Sequence, residues 1–369
     1  MADHETRAEE LAPAEQKKKK RKIPWGMLYI FVTIIALILF GIFNRQFGNV
    51  FRTLSNLTPG FLALAVVITI LYFFFEGGII RLLMKSQNFP MKWGSALKIS
   101  LIGIYYSYIT PSATGGQPMQ SAYLRRDKIP VGISAAVLII KFFCFQCAFV
   151  ICSLFSFLFM YEKLTVENPA IIPFIILGLI VNGFSIIFFP SLFVRPVLHG
   201  ICRFAKWLVK KFHISKRFHL MESIDRFEED FGSYRENFRE KRSSVLWGIL
   251  LSIPQFILQM SVIYFVFRAF GYHDISYWEV FAVQSLLQVS VSFMPMPGAS
   301  GAQEIGFSAF FRNYFARDDL YSAVMVWRFF TYYLVVIAGA LLVVIDQFLY
   351  GKRKKELEQE QEQEISTEE

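Results

Sequence analysis

Cysteine and histidine are scarce in this chain, with four cysteines and five histidines among 369 residues. The histidines are scattered without the spacing of metal ligands, and the close pair Cys144 and Cys147 has no second pair to complete a zinc site. So few cysteines, lying within or beside apolar segments, also argue against a disulfide framework. We therefore expect no metal and no cofactor.

Catalytic and nucleotide-binding motifs are also missing. The sequence has no phosphate-binding glycine loop, no nucleophile elbow and no paired carboxylates in a supporting context. Charged residues make up only 18% of the chain. The sequence therefore encodes no energy source of its own, and we do not expect the chain to be an enzyme by itself.

Apolar residues are what the chain has in abundance, since 54% of its residues are hydrophobic and 41 are phenylalanine. This composition is typical of a polytopic membrane protein. Apolar runs of crossing length predict six spans, near residues 24–43, 58–80, 131–160, 169–194, 245–270 and 321–349. No small-residue cleavage site accompanies the first run, so we expect an uncleaved anchor.

The net charge of +9 is concentrated in the loops and tails beside these spans, beginning with the basic run at residues 17–22. By the positive-inside rule, this distribution predicts that both termini are cytoplasmic. Basic segments next to spans favour an anionic lipid surface as the partner, and not a nucleic acid. The chain is thus expected to be a multi-pass protein of the cell membrane.

Two copies of one motif interrupt apolar segments in the two halves of the chain. Residues 111–118 read Pro-Ser-Ala-Thr-Gly-Gly-Gln-Pro, and residues 297–304, which lie 186 positions later (297 minus 111), read Pro-Gly-Ala-Ser-Gly-Ala-Gln-Glu. The loop charges predict that segment 93–128 enters and leaves the membrane on the cytoplasmic side, and that segment 277–318 does so from the outer side. Matched interruptions of this kind indicate a transport site.

Together these patterns predict an all-α integral membrane protein with six full transmembrane helices plus two opposed re-entrant helical hairpins in inverted repeats. A shift of 186 residues carries the second span onto the fifth and the third onto the sixth. The predicted divisions are a polybasic cytoplasmic tail (1–22), a first membrane half (23–198), an amphipathic cytoplasmic insert (199–243), a second membrane half (244–350) and a charged cytoplasmic tail (351–369).

The glycines at the two hairpin tips favour tight turns, and the short helix after each tip presents N–H groups and the positive end of its dipole. Such an arrangement binds a phosphate or a similar anion. The predicted substrate-binding residues at the tips are Thr114, Gly115, Gly116, Gln117, Ser300, Gly301, Gln303 and Glu304. The alternative is that these residues only terminate and cap half-helices.

Charged side chains inside apolar spans mark a cavity or an ion pair, because burial of a lone charge costs free energy. Lys141 and Arg328 occupy nearly equivalent positions in the two halves, and we expect them to flank an anionic headgroup. The alternative is internal pairing, such as Glu304 with Arg328. Glu76, five residues from Arg81, is expected at the inner interface.

The Thr-Pro-Ser lead at residues 110–112, the Pro-Met-Pro-Gly run at 295–298, the basic start and the order of spans resemble the lysylphosphatidylglycerol synthase transmembrane family, over roughly residues 24–350. The resemblance implies a flippase-like module, similar to the membrane part of the multiple peptide resistance factor. Such a module moves a lipid, for example lysyl-phosphatidylglycerol, between the leaflets of a prokaryotic plasma membrane and protects against cationic peptides. It also implies that the tip residues line a central cavity.

The bifunctional members of that family carry a cytoplasmic aminoacyl-transfer domain after the membrane module, whereas this chain ends about twenty residues after its last predicted span. We therefore expect a lipid translocase that binds a membrane phospholipid. One alternative is the membrane component of a phosphatidylglycerol lysyltransferase system that acts with a separate lipid-modifying enzyme. Another is a carrier of ions or small solutes.

Overall fold

The computed structural model describes residues 57–211 and 220–368, without the side chains of 233–240 and 352–368. All of these residues belong to one of the two units of the chain, residues 44–369. The basic tail and the first predicted span lie outside the described residues. Every regular element in the described part of the chain is helical, which confirms the all-α class there.

The described residues form twelve α-helices. In chain order they are α1 (Pro59–Ser86), α2 (Trp93–Ile109), α3 (Gly116–Arg126), α4 (Val131–Glu167), α5 (Ile172–Ser191), α6 (Arg195–Lys211), α7 (Leu220–Glu240), α8 (Arg242–Ala269), α9 (Tyr277–Val291), α10 (Ala302–Phe311), α11 (Arg317–Arg328) and α12 (Leu334–Glu368). Short turns join them, namely three 3-10 turns (Pro111–Ala113, Pro169–Ile171, Pro297–Ala299) and a π-helical turn (Phe329–Tyr333). Each 3-10 turn begins with a proline, whose fixed φ suits the first position of a helical turn.

Five of the described helical segments are long and apolar enough to cross a membrane. They are α1, α4, α8, the stretch Pro169–Ser191 that contains α5, and the stretch Arg317–Gly351 that joins α11 to α12 through the π-helical turn. These five segments coincide with five of the six predicted spans, although several ends differ by a few residues. Large apolar side chains on their outward faces, such as Phe155 and Phe184, remain exposed, as expected of surfaces that contact acyl chains.

Two pairs of shorter helices, α2 with α3 and α9 with α10, lie between these long segments. The four helices have 17, 11, 15 and 10 residues. At 1.5 Å per residue the longest rises about 25 Å, which is less than a hydrocarbon core of about 30 Å. The two members of each pair pack against each other. Both copies of the motif therefore lie at the tips of helical hairpins.

The hairpins and the helices that follow them repeat with the 186-residue spacing of the motif. Three pairs of element starts show it: Pro111 with Pro297, Gly116 with Ala302, and Val131 with Arg317. The π-helical turn at Phe329–Tyr333 then interrupts the last membrane segment, whereas α4, its counterpart in the first half, is a continuous α-helix. The internal repeat is thus a repeat of structure as well as of sequence.

Helix α8 is the centre of packing, since it contacts α1, α4 and α9. Its buried Phe256 lies 5.3 Å from Phe149 of α4 and 6.3 Å from Phe281 of α9, measured between ring centroids. Because lipid tails are as apolar as leucine, such helices are held together by close fit more than by exclusion of water. Gly178 of α5 shows how close the fit is, because a β-carbon there would lie 2.1 Å from the carbonyl oxygen of Val289 on α9.

Helices α6 and α7 form the amphipathic insert and pack on each other, and α7 also packs on α4. His199 Nδ1 lies 2.8 Å from Glu228 Oε1, and Lys206 pairs with Asp225. The hydrogen bond from Lys206 to Asp225 raises the pKa of that lysine, so the ammonium is retained. Phe231 of α7 is buried. The insert therefore docks on the membrane helices as a helix pair.

Candidate functional site

The two motif copies, 186 residues apart in sequence, meet in space. Their 3-10 turns pack against each other, and α2 also contacts the second turn. Both backbones enter the left-handed region at the same two positions: φ is 51° at Ser112 and 56° at Gly298, then 55° at Ala113 and 49° at Ala299. Non-glycine residues adopt this conformation only at a cost in free energy, which the surrounding structure must offset. The sharp turn is therefore a specified feature of both hairpins.

A cavity of about 210 Å³ lies beside the paired tips. Its walls come from α2, α8, α9, α10, both tips and the last membrane segment. The polar residues that line it are Ser107, Tyr108, Ser112, Gln259, Gln284, Gln288, Ser292, Gln303, Arg328, Thr331 and Tyr332. Its volume far exceeds what one water molecule needs, so it has room for a small polar group.

A threonine closes the first tip. The hydroxyl oxygen of Thr110 accepts the N–H of Gly115 at 2.9 Å, and the hydroxyl donates to the carbonyl of Tyr106 at 2.6 Å. Thr114 is exposed, and its hydroxyl donates to the carbonyl of Pro111 at 2.9 Å. The polar groups of this tip are thus engaged mainly with their own hairpin.

Gly116 and Gln117 begin α3 behind this turn. A β-carbon on Gly116 would lie 2.7 Å from the carbonyl oxygen of Gly103 on α2, so closure of the hairpin requires glycine here. Gln117 is half-buried. The structure places neither residue among those that line the cavity.

A glutamate closes the second tip. The carboxylate of Glu304 accepts the N–H of Gly301, whose φ of 86° favours glycine. This acidic side chain also lies in the first turn of α10, where the helix dipole stabilises negative charge. Its neighbour Gln303 lines the cavity, is 5% exposed and donates from its amide nitrogen to Oε1 of Gln288 at 2.9 Å.

Arg328 joins the last membrane segment to the second tip. Its Nε lies 2.7 Å from Oε1 of Glu304, and its Nη2 donates to the hydroxyl oxygen of Ser300 at 3.0 Å. The Nε–H bond does not point along the contact with Glu304, so that contact is an ion pair without an aligned hydrogen bond. The guanidinium also lies over the ring of Tyr332, 4.4 Å from its centroid. Ser300, Glu304 and Arg328 are therefore one cluster.

Lys141 lies apart from this cluster. It forms an ion pair with Glu76 of α1, and Glu76 also accepts a hydrogen bond from the amide of Gln255 at 2.6 Å. Glu76 is 5% exposed and lies between helices. A shift of 186 carries Lys141 onto Trp327, one residue before Arg328, and one residue turns about 100° around a helix. The two cations therefore face different neighbours.

The sequence-based prediction missed a set of glutamines around the cavity. Gln255 and Gln259 lie four residues apart on α8, and Gln284 and Gln288 lie four apart on α9. A spacing of four places both amides on one face of a helix. Three of these residues, Gln259, Gln284 and Gln288, line the cavity. The signal was present in the sequence as an amide stripe on an otherwise apolar helix.

At the base of each hairpin, one cluster of charged side chains contacts a membrane segment from the other half of the chain. At the first hairpin, Asp346 of α12 lies 2.9 Å from Lys98 of α2 and 3.1 Å from Arg126 of α3. At the second hairpin, Glu279 of α9 pairs with Lys163 of α4. Each cluster thus joins residues that are far apart in sequence.

Comparisons with known proteins give two matches. The family model described as lysylphosphatidylglycerol synthase TM region matches residues 27–339, which include both motif copies. A UPF0104 membrane protein of Archaeoglobus fulgidus is 24% identical to this chain over 291 residues, which cover 71% of this chain and 79% of the relative.

Proposed function

This chain belongs to the lysylphosphatidylglycerol synthase TM region family, and from that premise we propose that it is a lipid translocase. It moves a phospholipid or another lipid-linked headgroup between the leaflets of the cell membrane. No motor is built into the mechanism, so the lipid moves down its own gradient or follows a coupled one.

The proposed topology has six crossings, namely the five described membrane segments and the predicted span at residues 24–43, with both termini in the cytoplasm. The two hairpins enter the bilayer from opposite faces as re-entrant segments. Their limited length and the packing of their tips support this arrangement. From the start of α1 to the start of α8 the proposed chain crosses three times, in α1, α4 and α5, and an odd number of crossings inverts the second half relative to the first.

The observation that carries the proposal is the polar cavity beside the paired tips. Irregular backbone at membrane depth is tolerated only where it is buried in protein or lines a water-filled space. Residues 111–114 at the first tip are exposed, and Ser112 and Ala113 contribute to the cavity wall. A headgroup held there would be shielded from hydrocarbon while its acyl chains remain in lipid.

The binding residues of this proposal are the tip residues that line the cavity, together with Arg328. The other tip residues shape the two turns, and Lys141 holds α4 to α1 through its pair with Glu76. The two halves open alternately around the cavity. Release of the cluster at Asp346 opens one side, and release of the cluster at Glu279 opens the other. Partly exposed ion pairs contribute only about 0–1 kcal/mol each, so either cluster can break without a large energy input.

The test is leaflet-resolved movement of labelled lipids in liposomes that contain the purified protein. The lipid set includes aminoacylated phosphatidylglycerol and a polyprenyl-phosphate lipid, and protein-free liposomes serve as the control. We expect selective acceleration of one lipid class. A folded protein that accelerates none of them would contradict the proposal.

The name of the family favours one other candidate, a membrane component of a phosphatidylglycerol lysyltransferase system with a separate catalytic subunit. Incubation of the purified chain with charged transfer RNA and phosphatidylglycerol tests whether the chain itself has transferase activity. Product formed by this chain alone would show an intrinsic transferase. Product formed only after a partner is added, with no lipid movement, would establish the second candidate.

A further inference from the structure

The wall of the cavity carries almost no net charge. Among the described residues that line it, Arg328 is the only one with a charged side chain, and the carboxylate of Glu304 lies against it. An anionic headgroup at the guanidinium would be repelled by the adjacent carboxylate, and a cationic headgroup at the carboxylate would be repelled by the guanidinium. Loss of the carboxylate would also leave the buried guanidinium, whose side chain is 5% exposed, without its counter-charge. The charge distribution therefore disfavours a charged group inside the cavity.

Amide groups form the polar wall instead. Gln284 and Gln303 are 3% and 5% exposed, and the Oε1 atom of each finds no hydrogen-bond donor among the described residues. With its amide nitrogen bonded to Gln288, Gln303 directs its amide oxygen at no donor, and the paired amides can exchange donor and acceptor roles by turning over together. A buried acceptor without a donor is costly until a ligand or water supplies one. The wall therefore offers hydrogen bonds to polar groups, and among these its charge balance favours uncharged ones such as hydroxyls.

Aromatic rings and hydroxyl groups complete the wall. The rings of Tyr108 and Tyr332 have centroids 5.4 Å apart, and both residues line the cavity with Trp327. Flat aromatic faces suit C–H surfaces, whereas the hydroxyls of Ser107 and Thr331 can donate or accept. Amide acceptors, hydroxyls and aromatic faces together match a ring with C–H faces and hydroxyl edges.

From these observations we propose that the part of the headgroup taken up by the cavity is an uncharged polyol ring, such as a hexose or an inositol, with any linking phosphate outside the cavity. The inference rests on the proposed lipid translocation and adds the chemical class of the headgroup to it. Hydroxyls of the polyol donate to the amide oxygens of Gln284 and Gln303, and its ring lies against Tyr332. A charged aminoacyl group is not the preferred cargo.

Four labelled lipids with identical acyl chains test this assignment in liposomes: monoglucosyl diacylglycerol, phosphatidylinositol, lysyl-phosphatidylglycerol and phosphatidylcholine. We expect the two polyol lipids to move about tenfold faster than phosphatidylcholine, as one or two selective hydrogen bonds provide. Equal movement of all four, or a preference for the lysyl lipid, would overturn the headgroup assignment and leave translocation standing. Movement of none would contradict translocation itself.

Substitutions of the cavity-lining glutamines test whether the cavity wall determines the headgroup selectivity. Gln284→Met and Gln303→Met remove the acceptor at similar side-chain volume, and we expect the ratio of phosphatidylinositol to phosphatidylcholine movement to fall toward one. Gln87→Met is the matched control, because Gln87 is also buried, at 1% exposed, with an unsatisfied Oε1, but lies outside the cavity. An unchanged ratio in both cavity variants would contradict the assignment.

A binding measurement separates recognition from transport. Glucosyl diacylglycerol titrated into the protein in detergent should raise the thermal unfolding midpoint, because a ligand that binds only the folded state stabilises it. The rise should be absent in Gln284→Met and present in Gln87→Met. A rise that is equal for phosphatidylcholine, or that survives in Gln284→Met, would overturn the polyol site.

Discussion

The two hairpin tips share a motif and a turn, but they are held closed in different ways. Their backbones agree through the third motif residue and separate at the fourth, where ψ is −21° at Thr114 and 143° at Ser300. At the fifth, φ is −80° at Gly115 and +86° at Gly301. The common sequence therefore specifies the reversal of the chain, and other residues decide how the following helix begins.

The capping groups of the two tips occupy different positions, and neither has a counterpart in the other tip. A shift of 186 residues carries Thr110, which closes the first tip, onto Met296, and carries Pro118 of the first copy onto Glu304, which closes the second. Because the second cap is a carboxylate, it recruits Arg328 and brings an ion pair to the cavity. The ion pair beside the cavity therefore belongs to the second tip alone, although the two turns reverse the chain in the same way.

The largest expected difference between the tips comes from their closing groups. Arg328→Ala leaves the Glu304 carboxylate without its partner and should destabilise the protein by about 3–5 kcal/mol. Thr110→Val removes the cap of the first tip and should cost about 0.5–2 kcal/mol. Unfolding in detergent, followed by circular dichroism, measures both. The double variant Arg328→Ala with Glu304→Ala should recover part of the loss, and no recovery would contradict a paired charge.

The second comparison exchanges the residues at the left-handed position. Gly298→Ser places a β-carbon 2.2 Å from the ring of Tyr332 and should cost about 1–3 kcal/mol, with reduced lipid movement. Ser112→Gly, the reciprocal change in the first tip, relieves a left-handed serine and should change stability by less than about 1 kcal/mol. Equal effects of the two variants in thermal unfolding would show that the tips are packed alike.

The third comparison concerns the paired glutamines of the motif. Gln303→Ala removes a side chain from the cavity wall and should slow lipid movement about tenfold, as expected for the loss of one or two hydrogen bonds. Gln117→Ala, at the equivalent position, should slow it less, since Gln117 does not line the cavity. Initial rates in liposomes with matched protein content decide this. A larger effect of Gln117→Ala would place the site at the first tip.

The smallest effect on stability is expected at the hairpin bases. Asp346→Asn and Glu279→Gln each remove partly exposed ion pairs and should change the free energy of unfolding by less than about 1 kcal/mol. Their effect on access should be opposite in direction. In a Ser112→Cys background, an impermeant thiol reagent should label the tip faster from one side in the first variant and from the other side in the second. Identical labelling would contradict alternate opening.

Much of the fold could be predicted from the sequence, because a bilayer sets both the length and the composition of its spans. Five predicted spans coincide with described helices, and the matched proline-glycine interruptions marked two turns that pack together. The prediction worked here because the membrane restricts each element locally, before any tertiary contact is known.

The partners of the buried charges could not be predicted in the same way. Lys141 and Arg328 differ by one residue from the repeat spacing, and that single residue directs them to Glu76 and Glu304 respectively. Glu76 lies 65 residues from Lys141 in sequence, so the pairing depends on how α1 and α4 pack. When ion-pair partners are brought together by the packing of distant helices, the local sequence does not predict them.

The π-helical turn at Phe329–Tyr333 limits how far one half of the chain can substitute for the other. Deleting one residue there would restore a regular helix but rotate everything after it by about 100°. Asp346 would then turn away from Lys98 and Arg126, and the first hairpin would lose its tether. A chimera assembled from two copies of the first half would lack this turn, so we expect the two halves not to be exchangeable.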